Sequence, residues 1–400
     1  DVVVHDADLV KKILSKESWA MYRKGRAYGI ASDLIGFHSL LAEGDSELWR
    51  RQRRIFSAAF RRQLFDSVLA PSVRKAVAAM ARRWEPGQVV QFHEDALELT
   101  INVLGRFAFG TDFEGPRLRD AFAVVLQTMT TFGRNPLLFH LRRLPTASNR
   151  RYWAALRAIE EAVQRCIDRP KEEARGGDDL VSQVLKVAEA EGGSLGSRLV
   201  RENLQTFLFA GHDTTASALS WAVRLLAEHP AAEQRLLEEI RCLGPEPACD
   251  DVNRLPYLEA VVKETLRLYP SAAFTREPLS DVELGKYVVP KGVEVFIAPY
   301  ITHRNDRLFP DFSRFDPERW LGQQTAAPES LGWMPFSLGA RNCIGSQLAK
   351  MEIKLTLYHL LARYSFGIPE DEEDRPRPTI YFTLVPNDML LVPSLRERAG

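Results

Sequence analysis

The longest uninterrupted helical pattern in the sequence, residues 199–228, constrains the fold more than any other feature. Apolar residues recur there at spacings of three and four, which is the period of an α-helix. At 1.5 Å per residue this helix would be about 45 Å long, enough to cross a domain. Pro230 ends the pattern and suits the first turn of a following helix.

Most of the remaining sequence also has the helical period. The further predicted helices cover residues 7–15, 45–64, 66–84, 94–108, 116–131, 148–174, 230–244, 256–268 and 346–364. Residues 281–300 instead alternate between apolar and polar and contain Gly and Pro, which predicts two short strands, and residues 379–393 predict terminal strands. The polar breaks at 175–178 and 192–197 are short, which is typical of surface loops within one domain. The chain is therefore predicted to be mainly α with a minor β part, as a single domain over residues 1–400.

Composition excludes several classes of protein. The 53 Lys and Arg residues balance 53 Asp and Glu residues, so no global field favours a nucleic-acid partner. Four cysteines in 400 residues do not form a disulfide framework and suit a reducing compartment. The sequence has neither a run of 18 apolar residues nor a signal-peptide pattern. These features predict a cytoplasmic protein, while membrane association through a segment before Asp1 stays open.

The segment from Phe336 to Gly345 is the most informative one for chemistry. Cys343 lies just before the helix predicted from residue 346, so turn amides and the helix N-terminus are expected to lower the pKa of its thiol. Gly339 and Gly345 allow tight turns and the close approach of a large flat group. Arg341 offers a forked donor for a carboxylate. The alternative is a buried structural cysteine, the usual role of a free cysteine and the one expected for Cys166, Cys242 and Cys249.

A second unusual segment, residues 209–215, lies in the middle of the long helix. Gly211, Asp213, Thr214 and Thr215 each lower helix propensity there by a few tenths to about 1 kcal/mol. The Thr hydroxyls also compete for carbonyls one turn back. Such local violations are expected at functional sites, although a weakened buried helix with satisfied Thr side chains is the alternative.

Together, the Phe-x-x-Gly-x-Arg-x-Cys-x-Gly and Ala-Gly-x-Asp-Thr-Thr segments resemble the cytochrome P-450 family. The resemblance implies the fold of that family, with haem b between the long central helix and the Cys loop. It implies that Cys343 is the axial thiolate of the haem iron. It further implies that Ala210 and Gly211 make room for O2, that Thr214 hydrogen-bonds the iron-bound oxygen, and that Asp213 relays protons. His212 falls at the variable position and is expected on the helix surface or in a groove.

Two groups of charged residues extend the resemblance. Glu264 and Arg267 lie three apart on one helix face, and such pairs are usually solvated. The resemblance implies instead a buried ion pair completed by Arg319. The resemblance also implies that four side chains bind the haem propionates: Trp49, Arg53, Arg276 and Arg341. Phe336 and the two glycines of the Cys loop are expected to contact the haem.

These features predict a haem-thiolate monooxygenase that inserts one oxygen atom from O2 into a lipophilic substrate by hydroxylation or epoxidation. The sequence has no Gly-rich dinucleotide fingerprint, so the resemblance implies electrons from NAD(P)H through a ferredoxin or flavoprotein reductase. The basic residues expected either to dock that partner or to form a solvated face are Arg50, Arg51, Arg54, Arg61 and Arg62. A peroxide-using or non-oxygenating haem-thiolate enzyme, a non-catalytic haem protein and a plain helical scaffold are the alternatives.

By analogy, the substrate pocket is expected to draw on residues 22–40, with Tyr28, Ile30 and Phe37, and on Phe207, Phe209, Ala272–Phe274 and Phe382, while residues 133–146 cover its entrance. The chain starts near the expected second strand and second helix of the fold. Its first helix, first strand and any membrane anchor are therefore expected to be missing from this sequence.

Overall fold

The computed structural model describes residues 1–15, 18–44, 46–60, 62–85, 87–113, 115–168, 178–190, 196–322, 332–370, 376–380 and 383–396. The α-helices within these ranges are α1 (Ala7–Leu14), α2 (Arg26–Ile30), α3 (Ser32–Ile35), α4 (Glu47–Ala59), α5 (Ala70–Ala81), α6 (Phe92–Phe109), α7 (Gly115–Arg134), α8 (Pro136–His140), α9 (Ala147–Ile167), α10 (Leu180–Ala190), α11 (Ser197–Glu228), α12 (Pro230–Ile240), α13 (Cys249–Asn253), α14 (Pro256–Leu268), α15 (Pro299–Thr302) and α16 (Ser346–Leu361). A π-turn at Phe65–Leu69 leads into α5.

The strands are short and distributed along the chain. They are β1 (Val2–Val4), β2 (Tyr22–Lys24), β3 (Val90–Gln91), β4 (Phe274–Pro278), β5 (Val282–Leu284), β6 (Tyr287–Val289), β7 (Val295–Ile297), β8 (Tyr364–Gly367), β9 (Pro378–Ile380), β10 (Leu384–Pro386) and β11 (Leu390–Leu395). The largest sheet has the order β1-β7-β4-β2, in which only the β1–β7 pair is parallel. The other sheets are β5-β6, β3-β11-β8 and β9-β10, all antiparallel.

Helix α11 runs through the interior and packs against α6, α9, α14 and α16. Its buried Trp221 stacks on Tyr269, with ring centroids 3.7 Å apart. Local signals fix the ends of the neighbouring helices. The hydroxyl of Ser46 accepts a hydrogen bond from Trp49 N at the start of α4, and Pro230 occupies the first turn of α12. Trp49 is thereby set at the N-terminal end of its helix, on the side that faces the site described below.

The predicted helices are confirmed, with shifted ends. The predicted helix over 148–174 ends at Ile167, and residues 169–177 lie outside the described residues. The predicted helix over 346–364 was too long, because Tyr364–Gly367 pairs with β11 as strand β8. The predicted strand pair exists as β5 and β6, whereas Val295–Ile297 joins β1 and β4. The mainly α prediction with a minor β part is confirmed.

In the part of the chain that the structure describes, no helix combines the length and apolar character needed to cross a membrane.

Candidate active site

A cavity lies between α11 and the loop that precedes α16. The volume of this cavity is about 280 Å³. Its α11 wall consists of Thr206, Phe207, Phe209, Ala210, Gly211, Thr214, Thr215 and Ala218. The opposite wall consists of Pro335, Phe336, Ser337, Arg341, Asn342, Cys343, Ile344 and Gly345. The fold thus places the two unusual sequence segments on opposite walls of one cavity.

The Cys343 thiol faces this cavity from the turn before α16. The backbone N–H of Cys343 donates to the carbonyl of Phe336 over 2.9 Å, which closes the loop around the sulfur. Burial raises the pKa of the Cys343 thiol, whereas the Gly345 N–H and the nearby Arg53 lower it by less. The expectation of a lowered thiol pKa is therefore wrong for the polypeptide alone. Direct coordination to a metal deprotonates a thiol outright, so a bound metal would stabilise the thiolate form that the turn alone does not stabilise.

Gly339 is required by the shape of this loop. Its φ of +70° lies in the left-handed region, and a Cβ there would be 2.0 Å from the carbonyl oxygen of Leu14. Helix α1 thus abuts the Cys loop directly. At Gly345 a Cβ would lie 3.9 Å from the Cys343 sulfur, so this glycine keeps the space beside the sulfur open. Phe336 lies on the same wall, in contact with the buried ring of Trp333.

Basic side chains gather at one edge of the cavity. Arg53 donates to the carbonyl and side-chain oxygens of Asn342 over 2.8 and 2.7 Å. The Arg341 guanidinium lies 3.6 Å from the centroid of the Trp49 ring and donates to the carbonyl of Glu43 over 2.9 Å. Arg276, on β4, donates to the carbonyl of Thr275 over 2.8 Å. The structure brings together all four side chains that the resemblance assigned to propionate binding.

Lys24 is a cation at this edge that the sequence analysis missed. It lies on β2 directly opposite Arg276 of β4 and lines the cavity. Burial holds the pKa of Lys24 well below its ordinary value, and the charges of Arg276 and Arg341 lower it further. Its Nζ lies 4.5 Å from the centroid of the Tyr28 ring. The segment 22–40 was expected at the pocket, but no local pattern singled out Lys24, whose position depends on the pairing of β2 with β4.

On the opposite wall, the Thr214 hydroxyl donates to the carbonyl of Ala210 over 2.9 Å. This is the predicted competition for a carbonyl one turn back, although the helix remains continuous. A Cβ on Gly211 would lie 2.9 Å from Leu104 Cδ2, so a larger residue there would displace the end of that α6 side chain. The Asp213 carboxylate accepts a hydrogen bond from Thr383 and is 3% exposed.

His212 is buried, which corrects the expectation of a helix-surface or groove position. It is 1% exposed, its ring centroid lies 4.4 Å from that of Phe122, and its Nδ1 lies 2.7 Å from the carbonyl oxygen of Leu208. Burial lowers the pKa of His212, and burial also lowers the pKa of His93 on α6 to about 4. The charge of Asp213 opposes both shifts. The carboxylate therefore has two neutral imidazoles near it.

Glu264 and Arg267 form a fully buried ion pair on α14. Arg267 Nε and Nη2 each donate to the Glu264 carboxylate over 2.8 Å. Arg319 Nε adds a third donor at 3.0 Å, as the resemblance implied. Trp320 Nε1 and Asp316 N complete the set at 2.9 and 3.0 Å. The pair lies in the core and is not solvated.

Glu352 on α16 is a further cavity-lining residue that sequence reasoning missed. Its Oε1 is buried without a hydrogen-bond partner among the described residues, and burial raises the pKa of this carboxyl well above its ordinary value. Burial of a carboxyl group without a partner favours its neutral form.

The rest of the cavity wall is mostly apolar. Of the predicted pocket residues, Tyr28, Phe207, Phe209 and Ala272–Phe274 line it. Ile30 packs against the core and Phe37 is 61% exposed, so these two predictions were wrong. Phe382 lies outside the described residues.

Comparisons with known proteins agree with this geometry. The sequence profile of the family described as Cytochrome P450 matches residues 1–392. The chain belongs to the cytochrome P450 family. It is 34% identical over 333 residues to pentalenene oxygenase of Streptomyces avermitilis, covering 82% of this chain and 74% of that protein. It is 30% identical over 372 residues to cyclooctat-9-en-7-ol 5-monooxygenase of Streptomyces melanosporofaciens, covering 89% and 78%. It is 29% identical over 401 residues to a cytokinin hydroxylase of Arabidopsis thaliana, covering 95% and 76%.

This P450 is therefore a haem-thiolate monooxygenase with haem b as its cofactor. The described residues fit that group. Crowded cations repel one another at one edge of the cavity, and the two carboxylates of haem b would relieve this repulsion. A thiol on the cavity wall, beside a glycine that keeps its surroundings open, suits an axial ligand.

Proposed function

We propose that this P450 oxygenates a neutral, lipophilic substrate, an unsaturated hydrocarbon or its mono-alcohol, by hydroxylation or epoxidation. For hydroxylation the balance is RH + O2 + NAD(P)H + H⁺ giving ROH, H2O and NAD(P)⁺. The two electrons come from NAD(P)H through a separate ferredoxin or flavoprotein reductase. Haem, when bound, supplies the iron at which O2 is reduced. The observation that carries the proposal is the mostly apolar lining of the cavity that Thr214 and Cys343 share.

The charges of the cavity support a neutral substrate. The ionisable Lys, Arg and Glu side chains among the described lining residues are Lys24, Arg53, Arg276, Arg341 and Glu352. We assign the four cations, with the indole of Trp49, to the haem carboxylates. Burial raises the pKa of Glu352 and so favours its neutral form. The remaining lining, rich in Phe, Leu and Ala, favours an apolar ligand.

The names of two relatives support the same class. An oxygenase of pentalenene and a monooxygenase of cyclooctat-9-en-7-ol act on an alkene and an alkenol, as their names state. Neither name contains an ionised group.

We assign the roles of the site residues as follows. Cys343 holds the iron, and Phe336, Gly339 and Gly345 shape its loop against the haem. Ala210 and Gly211 leave room on the opposite side. The Thr214 hydroxyl would orient O2 by a hydrogen bond, and Asp213 would pass protons to that hydroxyl, because an acid beside an alcohol is suited to proton transfer. The ion pair of Glu264 and Arg267 with Arg319 supports the fold around the Cys loop.

For electron transfer we propose docking on the exposed basic residues of α4. Arg50 and Arg54 are exposed there, Arg62 pairs with Asp250, and Arg61 lies outside the described residues. An acidic partner would be steered to this face by charge. The expected result for Arg54→Glu is a slower reduction by the partner, with a difference from wild type that shrinks as salt increases.

The substrate class is tested by a spin-shift titration of the haem-loaded protein. Pentalenene is the first probe, followed by a panel of neutral polycyclic alkenes and alkenols, with their carboxylic acids as controls. Binding of the neutral members and product formation with a surrogate ferredoxin system are expected. Selective binding of the acids would refute the proposal.

The reaction with O2 is tested by Thr214→Ala. Coupled turnover should fall, with more peroxide released per NAD(P)H. Turnover coupled to NAD(P)H that is unchanged in Thr214→Ala would instead favour the peroxide-using alternative. We also propose that residues 1–400 form one catalytic domain, supported by the profile match over 1–392.

A further inference from the structure

The side chain of Asp213 is tied to a residue 170 positions away in sequence. The Thr383 hydroxyl donates a hydrogen bond to Asp213 Oδ2. Asp213 is 3% and Thr383 4% exposed, so water does not compete freely for either group. Thr383 also lines the cavity and directly precedes strand β10. Thr383 therefore both lines the cavity and hydrogen-bonds the carboxylate.

Further hydrogen bonds hold this contact in place. Leu384 N donates to the carbonyl of Ser271 over 2.8 Å, and the Ser271 hydroxyl donates to the carbonyl of Thr214 over 2.9 Å. The Ser217 hydroxyl donates to the carbonyl of Leu384 over 2.5 Å. We call these residues the Thr383 clamp: Asp213, Thr214, Ser217, Ser271, Thr383 and Leu384. The clamp joins α11, the segment after α14 and the start of β10.

The position of the clamp couples two parts of the site. Ser271 and Thr383 belong to the cavity wall, next to the apolar residues Ala272 and Ala273. A ligand that contacts this wall can therefore contact Thr383, the residue that hydrogen-bonds Asp213. The charged or titratable groups that interact with this carboxylate from other elements are the imidazole of His93 on α6 and, from its own helix, that of His212. Among the described residues neither imidazole hydrogen-bonds the carboxylate, whereas the Thr383 hydroxyl does.

We propose that Thr383 is a positioning residue that holds the Asp213 carboxylate where it can pass protons to Thr214. The proposal rests on the proposed roles of Asp213 and Thr214, and it makes the cavity wall a part of proton delivery. The Asp213 side chain has rotatable bonds, so without the Thr383 hydroxyl its carboxylate can turn to another neighbour. A displacement of about 1 Å can cost on the order of 100-fold in rate.

Two substitutions separate the hydroxyl from the shape of Thr383. Thr383→Val keeps the branched shape and removes the hydroxyl, whereas Thr383→Ser keeps the hydroxyl and removes the methyl group. Thr356→Val is the matched control, because Thr356 is fully buried on α16 and its hydroxyl has no hydrogen-bond partner in the described structure.

The measurement needs no substrate and no redox partner. The haem-loaded protein is reduced with dithionite, oxygenated, given one further electron by irradiation at 77 K, and annealed while EPR follows the proton-dependent loss of the signal. In Thr383→Val we expect this loss to be about tenfold slower at a given temperature, with a larger D2O effect, because the carboxylate is misplaced. Thr383→Ser and Thr356→Val should stay within about twofold of wild type.

Epistasis and crystallography complete the test. In an Asp213→Asn background Thr383→Val should add little, since residues of one network are not additive. Crystal structures should show the Asp213 side chain turned away in Thr383→Val only. A slow Thr383→Ser with a normal Thr383→Val would show a packing role and overturn the proposal, as would an unmoved carboxylate in Thr383→Val. Because no substrate enters these measurements, failure of the proposed substrate class leaves them intact.

Discussion

The buried carboxylate of Glu264 allows a stability prediction with a magnitude. Five N–H groups donate to it, three from arginine side chains. Oε1 accepts three of these hydrogen bonds and Oε2 accepts two. In Glu264→Gln, the amide nitrogen takes one of these positions and cannot accept a hydrogen bond. Whichever way the amide turns, at least two buried donors then face another donor.

The substitution also leaves the guanidinium of Arg267 buried without its counter-charge. Removing one partner of a buried ion pair typically costs about 3–5 kcal/mol. Native domains are stable by only about 5–15 kcal/mol, so the loss is a large fraction of the whole. Arg267 also donates to the carbonyl of His303, whose Nε2 accepts a hydrogen bond from Met334 N just before the Cys loop, so haem loading should fail together with folding.

The assay is haem content per protein together with the difference spectrum of the reduced, CO-bound protein, supported by urea unfolding. Glu318→Gln is the matched control, because Glu318 is half exposed in its pair with Arg235 and such pairs are worth about 1 kcal/mol or less. Glu264→Gln or Arg267→Ala should give little loaded protein, while Glu318→Gln loads normally. Normal loading and an unchanged urea midpoint in Glu264→Gln would refute the reasoning.

Three further predictions concern single residues. Gly339→Ala should load little haem, because its Cβ would overlap the Leu14 carbonyl. A near-normal difference spectrum of the reduced, CO-bound variant would contradict this. Gly133→Ala is the control, because there is open space around Gly133. Lys24→Met should weaken haem retention by removing a cation from the carboxylate edge, measured by haem transfer to apomyoglobin; Lys291→Met, on the surface, should not. Burial lowers the pKa of His303 to about 3, and Met334 N donates to its Nε2, which fixes the neutral form. The unfolded chain protonates this histidine below about pH 6.5, whereas the folded protein keeps it neutral. The contribution of His303 therefore lowers the free energy of unfolding by about 1.4 kcal/mol for each pH unit below that value. His303→Gln should reduce the slope between about pH 6 and pH 4 in urea titrations, and an equal slope would contradict the assignment.

Helices were predictable from the sequence because their signals are local. The period of apolar residues in α11 and α14, and Pro230 at the start of α12, depend on neighbours within one or two turns. Helix ends were less predictable. Tyr364–Gly367 continues the pattern of α16, yet pairing with β11 decides its conformation. Strands β1 and β2, of three residues each, carry too little periodicity to be recognised before their partners are known.

The site residues likewise divide into those with a local sequence signal and those placed only by distant strand pairing. Trp49, Arg53 and Cys343 lie in motifs whose spacing is visible in the sequence, and the structure brings them to one cavity. Lys24 reaches that cavity only because β2 pairs with β4 in the register that sets it opposite Arg276. No local pattern contains that register, since a shift by one residue would turn Lys24 to the other face of the sheet.

Like Lys24, Thr383 is brought to the site by the fold and not by a local sequence pattern. The motif alone therefore does not fix the orientation of the groups that pass protons. The Ala-Gly-x-Asp-Thr-Thr pattern contains the acid and the alcohol, but a carboxylate on a helix can turn to several neighbours. Its direction is chosen by the hydroxyl that meets it, and that hydroxyl comes from the start of β10. Members of one family can therefore share the motif and still differ in how well protons follow electrons. The segment to compare between family members is therefore the one at the start of β10. In a chain that has Val at the position of Thr383, we expect another group to hold the carboxylate that corresponds to Asp213.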